Sequence, residues 1–519
     1  MPTVGVAIAP TSQPTYMLFS SSVFILGFLP VTLLVLWLLS KWRLDKFVLP
    51  WLLITSIFFY SYWNLFSPAG QEVTPGYILL IILSIVFNHQ MGMAIASAQL
   101  LSKRAKLLLI IGTIVNVSLI AYYKYANFFL STVGSVFSAN WSVGNLILPL
   151  GISFYTFTQI AYLVDAYRGE VKGQNYDLPT YALFILFFPQ LIAGPILRHD
   201  ELIPELRRLK DFVFSDKNFA VGLAVFSLGL AKKIIIADTL SQWVSPIFNN
   251  ADIATFIEAW VGALAYTLQL YFDFSGYSDM AVGLGYMFNT NLPVNFNSPY
   301  KATSITDFWR RWHITLSNFL RDYLYIPLGG SRKGEVRRYT NLIITMLLGG
   351  LWHGAGWTFV IWGGLQGILL SINHGWRKLN IKLPALVGWL MTFFAVVVGW
   401  VIFRAQNLQD AIQLLKTMSG MNGIVIPGAP GGKLSFLSQF GIQVQEWSNL
   451  TYLPEFYGKQ SLSFVVLFAL MIAVTFLPNT QEISNKITFN KWWGIGIGLL
   501  AGYCILSLNR VSEFLYFQF

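Results

Sequence analysis

Apolar residues gather along this chain in long runs, and short basic segments separate them. Runs of spanning length begin near Met17, Phe47, Gly76, Leu107, Gly151, Thr180, Phe219, Ile257, Thr340, Ala385, Leu462 and Trp492. A helix needs roughly 20 residues to cross the hydrocarbon core, so the pattern predicts an all-α integral membrane protein with about 11–12 transmembrane or re-entrant helices. The first run is too long for the core of a signal peptide and reads as a retained membrane helix. Lys41, Arg43 and Lys46, then Lys103, Arg104 and Lys106, mark two loops separated by two spans. Positive residues favour the cytoplasmic side, which places both loops there. The uncharged start of the segment Ser67–Glu72 between them reads as external.

Lys301–Arg338 is the most basic stretch, with eight Lys/Arg against three Asp/Glu. It is expected in the cytoplasm. The apolar run from Thr340 to about Asn373 ends on Arg377, Lys378 and Lys382 and carries Gly354-Ala355-Gly356 in its middle. Both ends therefore read as cytoplasmic, and the glycines as the turn of a hairpin within the membrane. Residues 406–460 are nearly neutral and rich in Gly and Pro, and are expected to form an external loop. The whole chain, 1–519, reads as a single polytopic domain: a core over about 17–405, this loop, and C-terminal membrane helices over 461–519.

Composition agrees. Only 11% of the 519 residues are charged while 55% are hydrophobic and 16% aromatic. Soluble domains carry about a quarter charged residues, so the solvent for this surface is lipid. A net charge of +11 raises the question of nucleic acid, but that needs a basic face on a soluble domain. Cys504 is the single cysteine and lies in an apolar run, so neither a disulfide framework nor a cysteine metal cluster is available. No GxSxG elbow, Walker A loop, HExxH or CxxC occurs. Neither a bound cofactor nor a metal is expected.

Five histidines occur: His89, His199, His313, His353 and His374. Counting from Thr340 at 1.5 Å per residue puts His353 about 20 Å in from the cytoplasmic face. An ionisable side chain there is costly, which makes it a functional candidate; the alternative is a histidine hydrogen-bonded between helices. His313 follows Asp307-Phe308-Trp309-Arg310-Arg311-Trp312. At helical spacing Trp309, His313, Leu316 and Leu320 share one face and Arg310, Ser317 and Arg321 another. That suggests an amphipathic helix at the interface, with His313 as either an anchor or a site residue. Arg310, Arg311, Arg321, Arg332 and Lys333 suit either the phosphates of a nucleotide-bearing donor or lipid head groups. Asp273 and Asp279, six residues apart in an apolar segment, suggest pairing with arginine or a polar path. Lys232 and Lys233 read as interfacial and snorkelling.

Several blocks together resemble the membrane-bound O-acyltransferase family, in the bacterial branch that includes the alginate O-acetylation membrane subunit. They are Tyr271–Met280 (YFDFSGYSDM), Asn295–Lys301 (NFNSPYK), Phe308–Ser317 (FWRRWHITLS), Arg321–Gly330 (RDYLYIPLGG) and Leu347–Gly354 (LLGGLWHG). Leu150–Tyr155, Phe188–Pro195 and Trp400–Ala405 extend the likeness, which runs from about Met17 to Ala405. The resemblance implies many helices around a central tunnel. It makes His353 and His313 the expected catalytic residues, His353 matching the family's near-invariant histidine. Asn295, Asp307, Arg310, Arg311, Arg321 and Trp352 are the expected substrate-binding residues. It further implies acetyl-coenzyme A as donor, and a polysaccharide or a periplasmic acetyltransferase partner as acceptor. The expected setting is the bacterial inner membrane, in contact with lipid and not with nucleic acid. A neutral imidazole can act as general base when a hydroxyl attacks a thioester. Two rivals are a transporter or channel with a histidine-lined path, which predicts inverted repeats that the sequence does not display, and a subunit that only anchors a transferase.

Overall fold

The computed structural model describes residues 17–65, 76–174, 176–192, 194–429, 431–487, 490–508 and 515. The Ser67–Glu72 segment, expected outside the membrane, lies beyond them. The described residues are overwhelmingly helical, and their only strands are the parallel pair Ile424–Pro427 and Ile442–Gln445. Among the described residues, five helices are long and apolar enough to cross a membrane: Phe24–Lys41, Gly76–Ser97, Lys103–Val136, Asp216–Phe248 and Ala385–Arg404. Gln460–Phe476 and Lys491–Leu506 are apolar but shorter. The all-α, multi-pass membrane fold is as the sequence predicts.

The chain divides into two compact units. The first comprises the described residues of Met1–Ser118, Leu148–Ile192 and Arg198–Ser215. Polar side chains join its apolar helices: Asn88 donates to Gln159, Asn116 Nδ2 donates to Asn88 Oδ1 at 2.7 Å, and Ser84 donates to Gln159 at 2.9 Å. In lipid, such side chains hold helices together because an unsatisfied polar group has no water to turn to. Two of the five histidines are hydrogen-bonded to Tyr176 here. His89 Nε2 meets the Tyr176 carbonyl at 2.8 Å, and His199 Nδ1 meets the Tyr176 hydroxyl at 3.0 Å. Arg198 pairs with the acids beside His199, reaching Glu170 at 2.6 Å, Asp200 at 3.2 Å and Asp165 at 3.5 Å.

The second unit comprises the described residues of Leu119–Ile147, Ala193–Leu197 and Asp216–Phe519. It is built around one helix, Phe256–Met287, of 32 residues. Thr255 starts it with a capping box, its backbone N–H donating to Glu258 Oε2 at 2.8 Å. Asp216–Phe248 lies against this central helix at two glycine crossings. A Cβ on Gly222 would stand 2.5 Å from the Gly283 carbonyl oxygen, and one on Gly229 2.5 Å from that of Gly276. The two glycines on each helix are seven residues apart, two turns, so the backbones touch twice along one antiparallel seam.

Past Gly229 the sequence expectation fails. Lys232 and Lys233 do not snorkel, and the partners of the buried acids are these lysines rather than arginines. Lys232 Nζ sits 2.6 Å from Asp279, which also accepts from the Thr480 hydroxyl at 2.6 Å. Lys233, 1% exposed, bridges Asp238 at 2.7 Å and Asp273 at 2.6 Å. A π-helical turn over Lys232–Ala237 carries both lysines. The seam brings them against the central helix, where the low dielectric makes pairing obligatory.

Residues 406–460, expected as a loop, contain more structure than composition suggests. Asn407 caps a helix over Leu408–Met418, accepting from the Asp410 N–H at 3.0 Å. The segment is tied to the central helix: Trp260 donates to the Met418 carbonyl at 3.0 Å, and the Tyr452 N–H to Glu258 at 2.7 Å.

The expected hairpin is present as Glu335–His353 and Trp357–Lys378, broken at Gly354–Gly356. Its limbs close through glycine. A Cβ on Gly350 would lie 3.0 Å from the Gly363 Cα, and one on Gly367 2.7 Å from the Ile343 Cα. His353 is the last helical residue of the first limb.

Candidate active site

The segment before the hairpin makes two short helices, Ile305–Arg311 and Ile314–Leu320, rather than one amphipathic helix. Ser304 caps the first by accepting from the Asp307 N–H at 3.2 Å. His313 then takes φ 43°, ψ 57°, a left-handed conformation that reverses the helical course. Trp309 and His313 therefore do not continue one face into Leu316 and Leu320. His313 is 1% exposed, so it is a core residue and not an interfacial anchor.

Asn295 produces this break. Its side-chain oxygen accepts from the Thr315 N–H at 3.2 Å and from the Thr315 hydroxyl at 3.0 Å, and meets His313 Nδ1 at 3.1 Å. Its carbonyl accepts from the Ile314 N–H at 3.0 Å. A backbone N–H can only donate, which identifies the contacting Asn295 atom as oxygen. Nδ1 of His313 must then carry the proton in this contact, leaving the lone pair on Nε2. Nε2 is buried and has no hydrogen-bond partner among the described residues.

His353 is partly buried in a box of aromatic rings: Trp352 at 5.0 Å, Phe403 at 5.3 Å and Trp362 at 5.4 Å, all three edge to face. The Trp352 ring also lies 6.2 Å from the His313 ring. Two histidines forty residues apart thus meet at one indole. Phe274 covers the other side of His313 at 4.7 Å.

The remaining expected site residues separate into two places. Arg310, Asp307, Thr303, Thr306, Asn373 and Arg377 form the polar side of a pocket of about 540 Å³, whose other side includes Trp376, Ile381 and Leu383. Arg310 and Arg377 are exposed in it, while Arg311 is held by Asp307 at 3.0 Å. Arg321 is paired with Asp322 at 2.7 Å, which reinforces its positive charge, and lines a smaller, mostly apolar pocket of about 190 Å³ beside Trp309, Ser317 and Met346. Trp309 stands next to Arg310, and its ring lies 5.9 Å from Trp362, itself 5.4 Å from His353. A short line of rings therefore runs from the smaller pocket, which Trp309 lines, to His353. Asp273 and Asp279 are engaged with lysines instead.

One residue escaped the sequence reading. Lys124 Nζ donates to the Trp352 carbonyl at 2.6 Å and the His353 carbonyl at 3.2 Å, and the Tyr125 hydroxyl donates to Leu351 at 2.8 Å. A lysine inside an apolar run was the available signal.

The chain is similar to known membrane acyltransferases. The profile of the membrane-bound O-acyltransferase family matches residues 168–409. The chain is 41% identical to a peptidoglycan O-acetyltransferase of Helicobacter pylori, over 97% of this chain and 98% of the relative. It is 44% identical to a probable alginate O-acetylase of Pseudomonas aeruginosa, over 78% of this chain and 75% of the relative. A teichoic acid D-alanyltransferase of Bacillus subtilis is 28% identical over 64% of this chain and 90% of its own length.

Proposed function

The chain belongs to the membrane-bound O-acyltransferase family, and we propose that it carries acetyl groups from cytoplasmic acetyl-coenzyme A to a hydroxyl on the outer side of the bacterial inner membrane. The observation that carries this reading is the meeting of His313 and His353 at Trp352. As an O-acyltransferase the chain needs a base, and the transporter reading loses its ground.

In the proposed reaction the acceptor oxygen attacks the thioester carbonyl carbon. A C–O bond forms, the C–S bond breaks, and the hydroxyl proton passes to the imidazole of His353. That proton then goes to the departing thiolate, so coenzyme A leaves as a thiol and no net proton is consumed. The lone pair on His313 Nε2 offers a second acceptor that orients the entering hydroxyl. The aromatic rings around His353 restrict the access of water, which would otherwise hydrolyse the thioester. Arg310 and Arg377 in the polar pocket suit the donor's phosphates.

For the acceptor we favour a cell-wall glycan. Similarity to the peptidoglycan enzyme spans 97% of this chain, against 78% for the alginate relative. A periplasmic partner that takes the acetyl group first is compatible with the same chemistry. The test is to delete the protein and measure base-labile acetate in purified sacculi and in exported polysaccharide. Loss from sacculi alone supports the reading. Loss from soluble polysaccharide alone reassigns the acceptor, and no loss from either removes the transferase proposal.

A further inference from the structure

The helix Glu335–His353 ends abruptly on its proposed catalytic residue. Gly354 follows in an extended conformation. The last four carbonyls of any helix lack intrahelical partners, here those of residues 350–353. Three are satisfied by two consecutive residues of another helix: Lys124 holds Trp352 and His353, and Tyr125 holds Leu351. Consecutive residues on a regular helix point about 100° apart. A π-helical turn over Ala121–Tyr125 widens the backbone where both must reach the same helix end. Such turns recur at functional sites in helices.

Beyond its first four residues, the Lys103–Val136 helix has Lys124 as its one charged side chain. A long lysine in an apolar helix ordinarily bends toward water. This one spends its ammonium on the carbonyls that flank an imidazole, and a cation at a helix C-terminus is also favoured by the helix dipole.

We propose that Lys124 is a positioning residue for acyl transfer, fixing the helix end that presents His353 and Trp352. The inference rests on His353 being the base. Without the ammonium, two carbonyls beside the imidazole lose this donor, and the helix end that carries the ring is no longer held. The ring then turns out of alignment while the rest of the helix stays packed.

The experiment expresses Lys124→Met, Lys124→Arg and Lys124→Gln in cells lacking the native protein, beside His353→Ala. Each variant is assayed for ester-bound acetate in the exported wall polymer per unit of protein in the membrane, and for thermal unfolding in detergent. Lys124→Met is expected to lose roughly 10- to 100-fold in rate, the scale of a displaced reactive group, with its melting temperature near that of the parent. Lys124→Arg, which keeps charge and donors, is expected to restore most of the rate, and Lys124→Gln to fall between. Full activity of the methionine variant, or an arginine variant as poor as methionine, overturns the inference. So does failure of all three to accumulate in the membrane, which would make the lysine a folding element. Normal acetylation by His353→Ala is a different failure: it removes the base assignment on which the inference stands, whatever the Lys124 variants do.

Discussion

The Asn295 side-chain oxygen lies 3.1 Å from Nδ1 of His313 while also accepting from the backbone and hydroxyl of Thr315. One atom thus sets the proton position on an imidazole, starts the Ile314–Leu320 helix, and holds His313 in a left-handed conformation. Replacing Asn295 by Leu keeps the volume and removes the acceptor. Three donors then lose their shared partner, at a cost of about 1–3 kcal/mol for each buried group left unsatisfied. The expected outcome is a lower unfolding temperature together with loss of acetylation. Asn295→Asp retains the acceptor and is expected to recover stability. An Asn295→Leu protein with parental melting and activity would show that the amide does nothing for His313.

The polar pocket gives a prediction of a different kind. Arg310 and Arg377 are exposed within it and far less constrained than Arg311, which Asp307 holds. Changing both to Ala should weaken donor binding without touching the histidines. In membrane vesicles supplied with acetyl-coenzyme A, KM should rise roughly tenfold with kcat nearly unchanged, the signature of uniform binding lost. The effect should shrink as salt rises, since exposed charges are screened over about 8 Å at physiological ionic strength. A fall in kcat at unchanged KM would move these arginines out of donor binding.

Lys233 tests the seam. It is 1% exposed and its ammonium serves both Asp238 and Asp273. Lys233→Met leaves two buried carboxylates without their cation, and breaking a buried pair costs about 3–5 kcal/mol. The variant is expected to accumulate poorly in the membrane or to melt well below the parent. Adding Asp273→Asn should return part of the loss, because one charge fewer then lacks a partner. Parental stability of Lys233→Met would mean the carboxylates are protonated or hydrated instead.

How far the sequence revealed all this depends on the distance between interacting residues. The hairpin turn at Gly354–Gly356 was legible because glycine punctuates a helix locally. His353 stood out through its expected depth in an apolar run. The break at His313 was not legible, since Trp312 and His313 contain no Gly or Pro and the cause is Asn295, 18 residues away. Lys232 and Lys233 looked like interfacial lysines until the Gly222 and Gly229 crossings brought Asp279 and Asp273 beside them. Lys124 was hidden most deeply, because its acceptors are backbone carbonyls 228 and 229 residues further on, and no side-chain pattern announces a backbone acceptor.

The sharpest prediction concerns His353 itself. The imidazole ends a helix, is ringed by Trp352, Trp362 and Phe403, and lies next to Gly354, which turns the chain. Replacing it by Ala removes a partly buried ring at the end of a helix rather than a core side chain, so the stability loss should be modest. General-base catalysis contributes about 10² to 10⁴-fold, enough to erase product in cells. His353→Ala should therefore reach the membrane at the parental level and leave the exported polymer without ester-bound acetate. His313→Ala separates two roles by its size. If Nε2 only orients the hydroxyl, the loss should be smaller than that of His353→Ala, and if both rings share the proton the two losses should match. The measurements are acetate released by mild base and membrane abundance by blot. Parental acetylation by His353→Ala at parental abundance would refute the base assignment regardless of family.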